Sequence, residues 1–333
     1  MRIGINGLGR IGRGLMRIIW GRPDLRIVAL NDVAPAETLG HLLAHDTTYG
    51  PWQADIQGNG GAIRIDGEAI PFSRCAAPTE VPWEDHGVDR VVEATGRFKD
   101  RLGMESHGRP VLLTAASVHA DRQVVFGVNH DTLVPSDRLV SAASCTTHCV
   151  SPVLAALRDV FTVNRVFFNT VHCYNVGQPL VDAPAADPRR ARAAGVNIIP
   201  TTTSASRALG AVFPDMEGRI EGMAVRVPAP AVSLTDMMFE VDGSPSLEEV
   251  LRCVEAAAEG PLRGILGLEP RPLVSQDYVG DSRSSVVDVS LTRVSGNLVR
   301  LVAWYDNERG YTARLADLLG YMERSFRPDR GRS

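Results

Sequence analysis

The sequence predicts an α/β protein in which a doubly wound parallel sheet is followed by an α+β domain with a mainly antiparallel sheet. Two observations predict the first part. A glycine-rich turn joins an apolar strand to an amphipathic helix, and further short apolar strands end in small or hydroxyl residues. A third observation predicts the second part, where longer strands of alternating polarity follow one another with few helices between them.

Length and composition indicate a compact protein without a membrane segment. The 333 residues are enough for two domains, and 44% of them are hydrophobic. The 35 basic and 39 acidic residues give a formal charge of −4, and no basic block indicates nucleic acid as the main partner. We expect no membrane partner and a cytoplasmic location, because neither a long apolar run nor a signal peptide is present. Five cysteines without zinc-like spacing indicate a reducing compartment and no metal.

The chain begins with the pattern of a dinucleotide-binding turn. A strand from Arg2 to Asn6 runs directly into a GxGxxG fingerprint, which a helix follows. Gly7 would permit the tight turn, Gly9 would let the backbone approach a pyrophosphate, and Gly12 would let helix and strand pack closely. The N-terminus of the helix would then hold the phosphates.

An aspartate after the next strand indicates which dinucleotide binds. Asp32 lies 20 residues after Gly12, which is the spacing that the fingerprint requires. Its carboxylate would accept hydrogen bonds from ribose hydroxyls and repel a 2′-phosphate, so we expect NAD as the cofactor. An ordinary strand–helix turn with a capping aspartate is the competing interpretation.

The rest of the first half is predicted to extend the same sheet. Asp66-Gly67 is a hairpin signal between two short apolar runs and indicates an inserted ribbon. Two further runs, Arg90 to Ala94 and Val111 to Leu113, suit buried parallel strands. A cofactor lies at the carboxyl ends of such strands, where this chain has Thr95, Gly96 and Thr114.

A cysteine stands where a predicted strand, Leu139 to Ala143, ends and a predicted helix begins. Ser144 has a side chain that caps helix starts. The unpaired N–H groups and partial positive charge of a helix N-terminus stabilise a thiolate, so we expect Cys145 to be a nucleophile with a lowered pKa. A buried core cysteine is the alternative, and it is our interpretation of Cys149 one turn later.

The second half is predicted to form a mostly antiparallel sheet. A helix from Ser246 to Glu259 interrupts it, and the stretch 175–199 is long enough for a loop to suggest a functional or interface role. The predicted strands are Val166–Cys173, Gly222–Val227, Val232–Val241, Val286–Leu291 and Leu298–Trp304.

Seven segments match, in order and spacing, the motifs of one known family. They are Asn6–Arg13, Ser144–Thr147, Thr170–His172, Arg189–Ala194, Asn197–Thr201, Met223–Pro228 and Trp304–Glu308. Over nearly its whole length the chain resembles the phosphorylating (type I) glyceraldehyde-3-phosphate dehydrogenases. The resemblance implies an NAD-binding Rossmann domain over 1–144 and 307–333, a catalytic domain over 145–306, and a homotetramer.

The resemblance also implies an activity, the NAD-dependent oxidation of D-glyceraldehyde 3-phosphate to 1,3-bisphosphoglycerate. Cys145 would attack the aldehyde to form a hemithioacetal, which becomes a thioester that inorganic phosphate attacks. His172 would form an ion pair with the thiol and exchange the hydroxyl proton. Asn307 would hold the nicotinamide carboxamide. The positions that match cofactor contacts are Arg10, Ile11 and Thr114.

The same resemblance assigns the phosphate-binding residues. Arg226 would face the substrate phosphate, and the pocket for inorganic phosphate would contain Ser144, Thr146 and Thr203, with Arg192 nearby. Several positions depart from the family pattern, and their effect on substrate preference stays open at this stage: Asn175 and Gly177 replace threonines, Ser204 a glycine, Arg309 a tryptophan and His148 an asparagine.

Two other interpretations remain. The related erythrose-4-phosphate dehydrogenases oxidise a longer aldehyde. The altered 175–177 segment favours that activity or the oxidation of another phosphorylated aldehyde, while Asp32 opposes the erythrose-4-phosphate interpretation. The second interpretation is a catalytically inactive paralogue that only binds partners. The presence of both Cys145 and His172 argues against it.

Overall fold

The computed structural model describes residues 1–326 and divides them between two units. The first comprises Met1–Ala143 and the residues from Thr312 onward, and the second comprises Ser144–Tyr311. The second unit thus extends past the boundary at Asn307 that the sequence suggested. Within that unit, the ring of Tyr311 packs edge-on against His148 at 5.3 Å.

The first unit contains a largely parallel sheet with helices between its strands. The order of the described strands is β3-β4-β5-β2-β1-β6-β7-β9-β8, with β3, β4 and β5 joined as antiparallel hairpins. The bounds are β1 (Arg2–Asn6), α1 (Arg10–Ile19), β2 (Arg26–Asn31), α2 (Ala36–Ala44), β3 (Ile56–Asn59), β4 (Ala62–Ile65), β5 (Glu68–Ser73), β6 (Arg90–Glu93), α3 (Arg101–Glu105), β7 (Val111–Leu113), β8 (Arg122–Gln123) and β9 (Leu139–Ser141).

The second unit contains the predicted mainly antiparallel sheet. Its described strands run in the order β11-β12-β10-β13-β17-β15-β14, with β16 paired to β17. The bounds are α4 (Cys145–Arg158), β10 (Val163–Cys173), β11 (Ile199–Thr201), α5 (Ala205–Val212), β12 (Ile220–Val227), β13 (Ser233–Val241), α6 (Leu247–Glu259), β14 (Leu266–Glu269), β15 (Ser285–Asp288), β16 (Arg293–Ser295) and β17 (Leu298–Tyr305). The last helix, α7 (Arg309–Phe326), begins in this unit and belongs to the first unit from Thr312 onward.

The fold class and the inserted ribbon predicted from the sequence are confirmed. β4 and β5 pair antiparallel about Asp66 and Gly67, and both residues have positive φ angles, 50° and 83°. Asp66 tolerates this conformation better than most residues because its short polar side chain bonds to nearby backbone. Its Oδ1 accepts the N–H of Asp55 at 2.9 Å.

Two predicted strands were partly wrong. β9 ends at Ser141, two residues earlier than expected, and Ala143 has a φ of 50° that an extended strand cannot contain. The predicted strand Val286–Leu291 stops at Asp288, where the side chain accepts the N–H of Ser290 at 3.1 Å and starts a 3₁₀ turn. In both cases a local backbone feature overrides an apolar sequence pattern.

Candidate active site

Cys145 is the first residue of α4, directly after the capping residue Ser144. The Ser144 Oγ accepts the backbone N–H of Thr147 at 3.1 Å, as a helix cap does. The thiol therefore lies at the amino end of a helix, where backbone N–H groups favour negative charge. The cap fixes where α4 begins and with it the position of the sulfur.

His172 contacts this thiol. Its Nε2 lies 3.4 Å from the Cys145 sulfur, and the ring is buried near the end of β10. The ring of Tyr305 meets it edge-on at 6.1 Å. A thiol and an imidazole at this distance can exchange a proton, which covalent catalysis by cysteine requires.

The pKa of the Cys145 thiol is raised, contrary to the expectation from the sequence. Burial is the largest cause, since it disfavours the charged thiolate. The positive charge of Arg226 and hydrogen bonds from Thr146 act in the opposite direction but do not outweigh burial. The helix terminus alone therefore does not determine the ionisation of this thiol.

Arg226 contacts the far side of the His172 ring. β10 and β12 run parallel with these two residues in register, and Arg226 Nη1 lies 2.6 Å from His172 Nδ1. The same nitrogen donates to the carbonyl oxygen of Cys173 at 2.8 Å. Nδ1 itself lies 2.8 Å from that carbonyl oxygen, so the guanidinium and the carbonyl both contact this side of the His172 ring, while Nε2 faces the sulfur.

The Tyr305 hydroxyl forms hydrogen bonds to residues of several elements near the thiol. The sequence alone indicated no role for this tyrosine. It lies 3.0 Å from Thr146 Oγ1 and 2.8 Å from Thr170 Oγ1. Thr235 Oγ1 in turn donates to Thr170 Oγ1 at 3.2 Å. These buried hydroxyls fix α4 against β10, β13 and β17, so they hold the residue next to Cys145 in place.

Asn307 is held by two donors that the sequence did not reveal. Its Oδ1 accepts the N–H of Val232 at 3.0 Å and the thiol of Cys173 at 3.2 Å. Val232 has a φ of 66°, which is unusual for a β-branched residue and costs conformational energy. With Oδ1 engaged twice, the Nδ2 end of the Asn307 amide is the one left to bind a ligand.

Of the residues predicted to bind inorganic phosphate, Thr203 and Ser204 line one cavity, and Arg192 does not. Thr203 and Ser204 precede α5 and line a cavity of about 790 Å³. Thr203 Oγ1 accepts the N–H of Ala205 at 3.1 Å. Arg192 does not line this cavity, and its guanidinium pairs with Asp182 at 2.7 Å.

Asn175 and Gly177 form a turn of their own. The Asn175 Oδ1 accepts the N–H of Gly177 at 3.0 Å, and the Asn175 N–H donates to Gln178 Oε1 at 3.3 Å. The Asn175 side chain thus stabilises the start of the 175–199 segment.

His148 and Arg309, which differ from the family pattern next to catalytic motifs, both form hydrogen-bond contacts near a helix start. His148 Nδ1 lies 3.1 Å from the carbonyl oxygen of Ser144, and its ring packs on Tyr311. Arg309 begins α7 and its N–H donates to Asp306 Oδ1 at 2.9 Å. These contacts account for local helix structure at both positions.

In the first unit, the glycine turn has the geometry of a phosphate-binding loop. Gly7 has a φ of 96°, and a Cβ there would lie 2.7 Å from the backbone nitrogen of Thr95. A Cβ on Gly12 would lie 2.1 Å from the carbonyl oxygen of Gly7. The space around Gly9 is open to 4 Å, which leaves room for an anion next to the backbone before Arg10 and Ile11 begin α1.

Asp32 follows β2 and faces this turn. Its Oδ2 accepts the N–H of Leu8 at 2.7 Å and its Oδ1 the N–H of Ala34 at 3.0 Å. An ionised carboxylate has further lone pairs on both oxygens, so it can also accept bonds from ribose hydroxyls. The turn and Asp32 together fit a dinucleotide such as NAD.

A buried carboxylate that sequence reasoning missed supports the same edge of the sheet. Glu93 ends β6 and accepts bonds from Asn6 Nδ2 at 2.6 Å and from the N–H of Thr95 at 2.8 Å. Its Oε2 also lies 3.1 Å from His107 Nε2. An acidic residue inside an otherwise apolar strand was the available signal. Gly96 has a φ of 71°, and the Thr114 N–H donates to the Glu93 carbonyl at 3.0 Å.

Two classes of site are not found in the part of the chain that the structure describes. Residues 1–326 contain no group of three or more His, Cys, Asp or Glu side chains that could hold a metal ion. None of the described helices is long and apolar enough to cross a membrane.

Comparisons with known proteins agree with this geometry. The family model described as glyceraldehyde 3-phosphate dehydrogenase, NAD binding domain, matches residues 1–101, and the model of the C-terminal domain matches residues 144–307. Glyceraldehyde-3-phosphate dehydrogenase 1 of Bacillus cereus is 43% identical over 96% of this chain and 98% of its own length. The Geobacillus stearothermophilus enzyme is 42% identical (97% and 98%), and that of Kitasatospora aureofaciens 43% (96% and 98%). The chain therefore belongs to the glyceraldehyde-3-phosphate dehydrogenase family and is an NAD-dependent oxidoreductase.

Proposed function

We propose that this chain oxidises D-glyceraldehyde 3-phosphate to 1,3-bisphosphoglycerate, with NAD as hydride acceptor and inorganic phosphate as second substrate. The observation that carries the proposal is the 3.4 Å contact between Cys145 Sγ and His172 Nε2. A nucleophile within reach of a proton-exchanging group is what covalent aldehyde oxidation needs. The names of relatives that match nearly the whole chain support this substrate.

The first half-reaction forms a thioester on the protein. The Cys145 thiol passes its proton to His172 Nε2, which lies 3.4 Å away. The sulfur then attacks the carbonyl carbon, and the carbonyl electron pair moves to oxygen, which takes that proton from Nε2. Bound NAD supplies the acceptor for the hydride that then leaves this carbon. As the hydride leaves, His172 Nε2 takes the hydroxyl proton back and the carbonyl group re-forms, so the carbon loses two electrons.

The second half-reaction transfers the acyl group to phosphate. A phosphate oxygen attacks the thioester carbon, the carbon–sulfur bond breaks, and its electron pair returns to Cys145. The proton of the attacking hydrogenphosphate is released to water. His172 Nε2 lies 3.4 Å from the sulfur and holds the proton taken from the hydroxyl, so it stabilises the leaving thiolate.

Arg226 is proposed to bind the substrate phosphate. Among residues 1–326 it has no carboxylate partner within ion-pair distance, so its charge is available to an anion. Its present contacts, His172 Nδ1 and the Cys173 carbonyl, neutralise no charge. Thr203 and Ser204, which line the cavity of about 790 Å³, are proposed to bind inorganic phosphate. Ser144, Thr146, Asn175 and Arg192 remain proposed contributors.

The residues proposed to hold NAD follow from the turn and the amide described above. Gly7, Gly9, Gly12 and Asp32 would bind the pyrophosphate and ribose, and the Asn307 Nδ2 would donate to the nicotinamide carboxamide. The other proposed contacts are Arg10, Ile11, Thr95, Gly96 and Thr114.

We also propose a homotetramer in the cytoplasm. The 175–199 segment carries large apolar side chains that are mostly exposed in the single chain, and such patches are typical of subunit interfaces. They are Val176, Leu180, Val181, Val196 and Ile198. All five cysteines are free, as expected in a reducing compartment.

A steady-state assay with and without inorganic phosphate tests the proposed reaction. We expect phosphate-dependent NADH formation with glyceraldehyde 3-phosphate. Phosphate-independent turnover with a preference for erythrose 4-phosphate would favour an erythrose-4-phosphate dehydrogenase instead. The altered segment at Asn175 and Gly177 is the feature that makes this alternative a candidate. A Cys145→Ser variant should bind NAD yet lose turnover, and unchanged turnover would refute the mechanism.

A further inference from the structure

A row of arginines follows the amino edge of the parallel sheet in the first unit. The strands β2, β1, β6, β7 and β9 are neighbours in that order and all pair in parallel. Neighbouring strands are about 4.8 Å apart, so residues at their starts follow one another along one edge. The glycine turn lies at the opposite, carboxyl edge. The arginines at the amino edge are Arg26, Arg2, Arg90, Arg109 and Arg138.

Three of these guanidinium groups lack an acidic partner in residues 1–326, namely those of Arg2, Arg90 and Arg138. Arg90 Nη1 donates to the carbonyl oxygens of Val111 and Arg138, at 3.2 and 3.3 Å, but carbonyls do not neutralise its charge. Arg109 pairs with Glu84 at 3.2 Å, and the Glu84 side chain is 90% exposed. Such a pair contributes little because solvent screens it.

Burying the positive charge of Arg90 without a bound anion costs free energy. The pKa of Arg90 is lowered to about 10, chiefly by burial. The positive charge of Arg138 lowers this pKa further, and the negative charge of Asp137 raises it by a smaller amount. The group stays charged at neutral pH, so an anion bound beside it would offset both the desolvation and the repulsion.

Two adjoining cavities open onto these side chains. One, of about 470 Å³, is lined by Arg2, Arg90, Arg109 and Arg138, and the other, of about 460 Å³, shares Arg109 and Arg138 with it and adds Arg101. A concave surface with an excess of one sign of charge concentrates the field and attracts counter-ions.

The acidic residues of the first cavity are already engaged. Asp89 Oδ2 accepts the backbone N–H of Arg2 at 2.7 Å, and Glu323 pairs with the N-terminal amine at 2.8 Å. The acidic residues of the second are engaged as well. Glu105 and Asp121 bind Arg101 at 2.8 and 3.0 Å, and Asp137 binds Arg122 at 2.7 Å. A backbone N–H does not neutralise a carboxylate, so Asp89 offsets one of the three arginine charges that lack an acidic partner, and two remain as the excess charge of the cleft.

We propose that this arginine cleft, made of Arg2, Arg90, Arg109 and Arg138, binds a small polyphosphate anion. Guanidinium groups bind phosphate oxygens through two parallel N–H donors, which suits them to this ligand better than ammonium groups. A chain of linked phosphates can meet several arginines along the edge at once, whereas a single phosphate reaches fewer. The shared chemistry is the polyphosphate group, either free or as the tail of a nucleoside triphosphate. The inference does not depend on the proposed reaction.

Calorimetric titration of inorganic tripolyphosphate into the full chain saturated with NAD tests the proposal. Saturating NAD occupies the dinucleotide site, so remaining binding lies either in the cleft or at the phosphate-binding residues proposed in the second unit, and the cleft variants described below distinguish the two. We expect saturable tripolyphosphate binding that the cleft variants weaken, and at least tenfold weaker binding of orthophosphate to the cleft. ATP measured in the same way identifies the source: equal affinity means that only the phosphates are recognised, and tighter binding means that a nucleoside is recognised too. Absence of saturable tripolyphosphate binding would overturn the proposal.

Charge-removing variants locate the site. Arg138→Gln and Arg109→Gln should each weaken tripolyphosphate binding about tenfold, as expected for loss of a charged hydrogen bond. Arg64→Gln is the matched control, because Arg64 is an exposed arginine on β4 of the same unit and away from the cleft. Equal weakening in the control would overturn the proposal in favour of non-specific attraction. Unchanged NAD affinity and melting temperature verify that each variant is folded.

Discussion

Arg226 Nη1 lies 2.6 Å from His172 Nδ1, and the two residues are register neighbours on the parallel strands β12 and β10. The opposite ring nitrogen, Nε2, faces the Cys145 sulfur at 3.4 Å. The charge of the Arg226 guanidinium also lowers the pKa of the Cys145 thiol, so this arginine favours the thiolate. One arginine is thereby linked to the proton-exchanging group and to the nucleophile.

Replacing Arg226 should therefore alter the thiol as well as substrate binding. In Arg226→Gln the charge that lowers the pKa of Cys145 is lost, so alkylation by iodoacetamide should require a higher pH than in the wild type. Arg226→Lys keeps the charge and should stay closer to the wild type, while kcat/KM falls about 10- to 100-fold because the forked donor is lost. Arg219→Lys, at an exposed arginine of the same unit, is the control. Identical alkylation profiles in all four proteins would contradict the link.

Removing the imidazole should separate chemistry from cofactor binding. We expect His172→Asn to lower kcat about 10²- to 10⁴-fold, the usual contribution of a positioned proton-exchanging group. NAD affinity measured by fluorescence quenching should not change. His148→Asn is the matched control and should retain activity within about threefold, since His148 contacts Ser144 and Tyr311 rather than the thiol. A larger loss in His148→Asn than in His172→Asn would reverse the assignment.

The pH dependence of the thiol follows from its raised pKa. Because burial favours the neutral form, the reactive thiolate should appear only as the pH rises above the ordinary thiol range, so Cys145 alkylation should still increase there. The effect on stability has the same origin. A folded-state pKa above the unfolded one contributes stability below the unfolded pKa that is lost as pH rises through the folded value. Alkylation that levels off below pH 7 would show that the thiol ionises more easily than its burial allows.

Acid stability should depend on a carboxylate in the second unit. Arg271 binds both oxygens of Glu269, at 2.8 and 2.7 Å, and lowers the pKa of that carboxyl from 4.5 to about 2. A depressed folded pKa contributes stability above pH 4.5 that is lost as the pH falls through 2. The melting temperature of Glu269→Gln should thus be lower than that of the wild type at pH 6, and the difference should shrink towards pH 2. Glu255→Gln, at an exposed site on α6, should show no such convergence.

The sequence could predict elements whose residues carry their own geometric requirement. The turn from β1 to α1 needs Gly7 and Gly12 because a Cβ at either would collide with backbone, and the start of α4 needs a capping residue such as Ser144. These features are local, so a short segment is enough to specify them. Family motifs supplied His172, whose contact with Cys145 joins residues 27 positions apart.

Other features depend on contacts that no short segment contains. α2 and α5 were missed, since small residues such as Gly40 and Ala208 replace the larger apolar side chains that mark a helical face. The positive φ of Val232 and its N–H bond to Asn307 depend on a residue 75 positions away. The raised pKa of Cys145 could not be predicted either, because burial arises only once the unit has folded.

Mass spectrometry of the protein mixed with NAD and glyceraldehyde 3-phosphate, without inorganic phosphate, tests the central claim most directly. The account predicts a phosphoglyceryl acyl group on the peptide that contains Cys145, which disappears within one turnover when phosphate is added. Fragmentation should assign it to Cys145 rather than to Cys149, whose thiol is buried with its pKa raised to about 12. An unmodified Cys145 during active turnover would contradict the covalent mechanism.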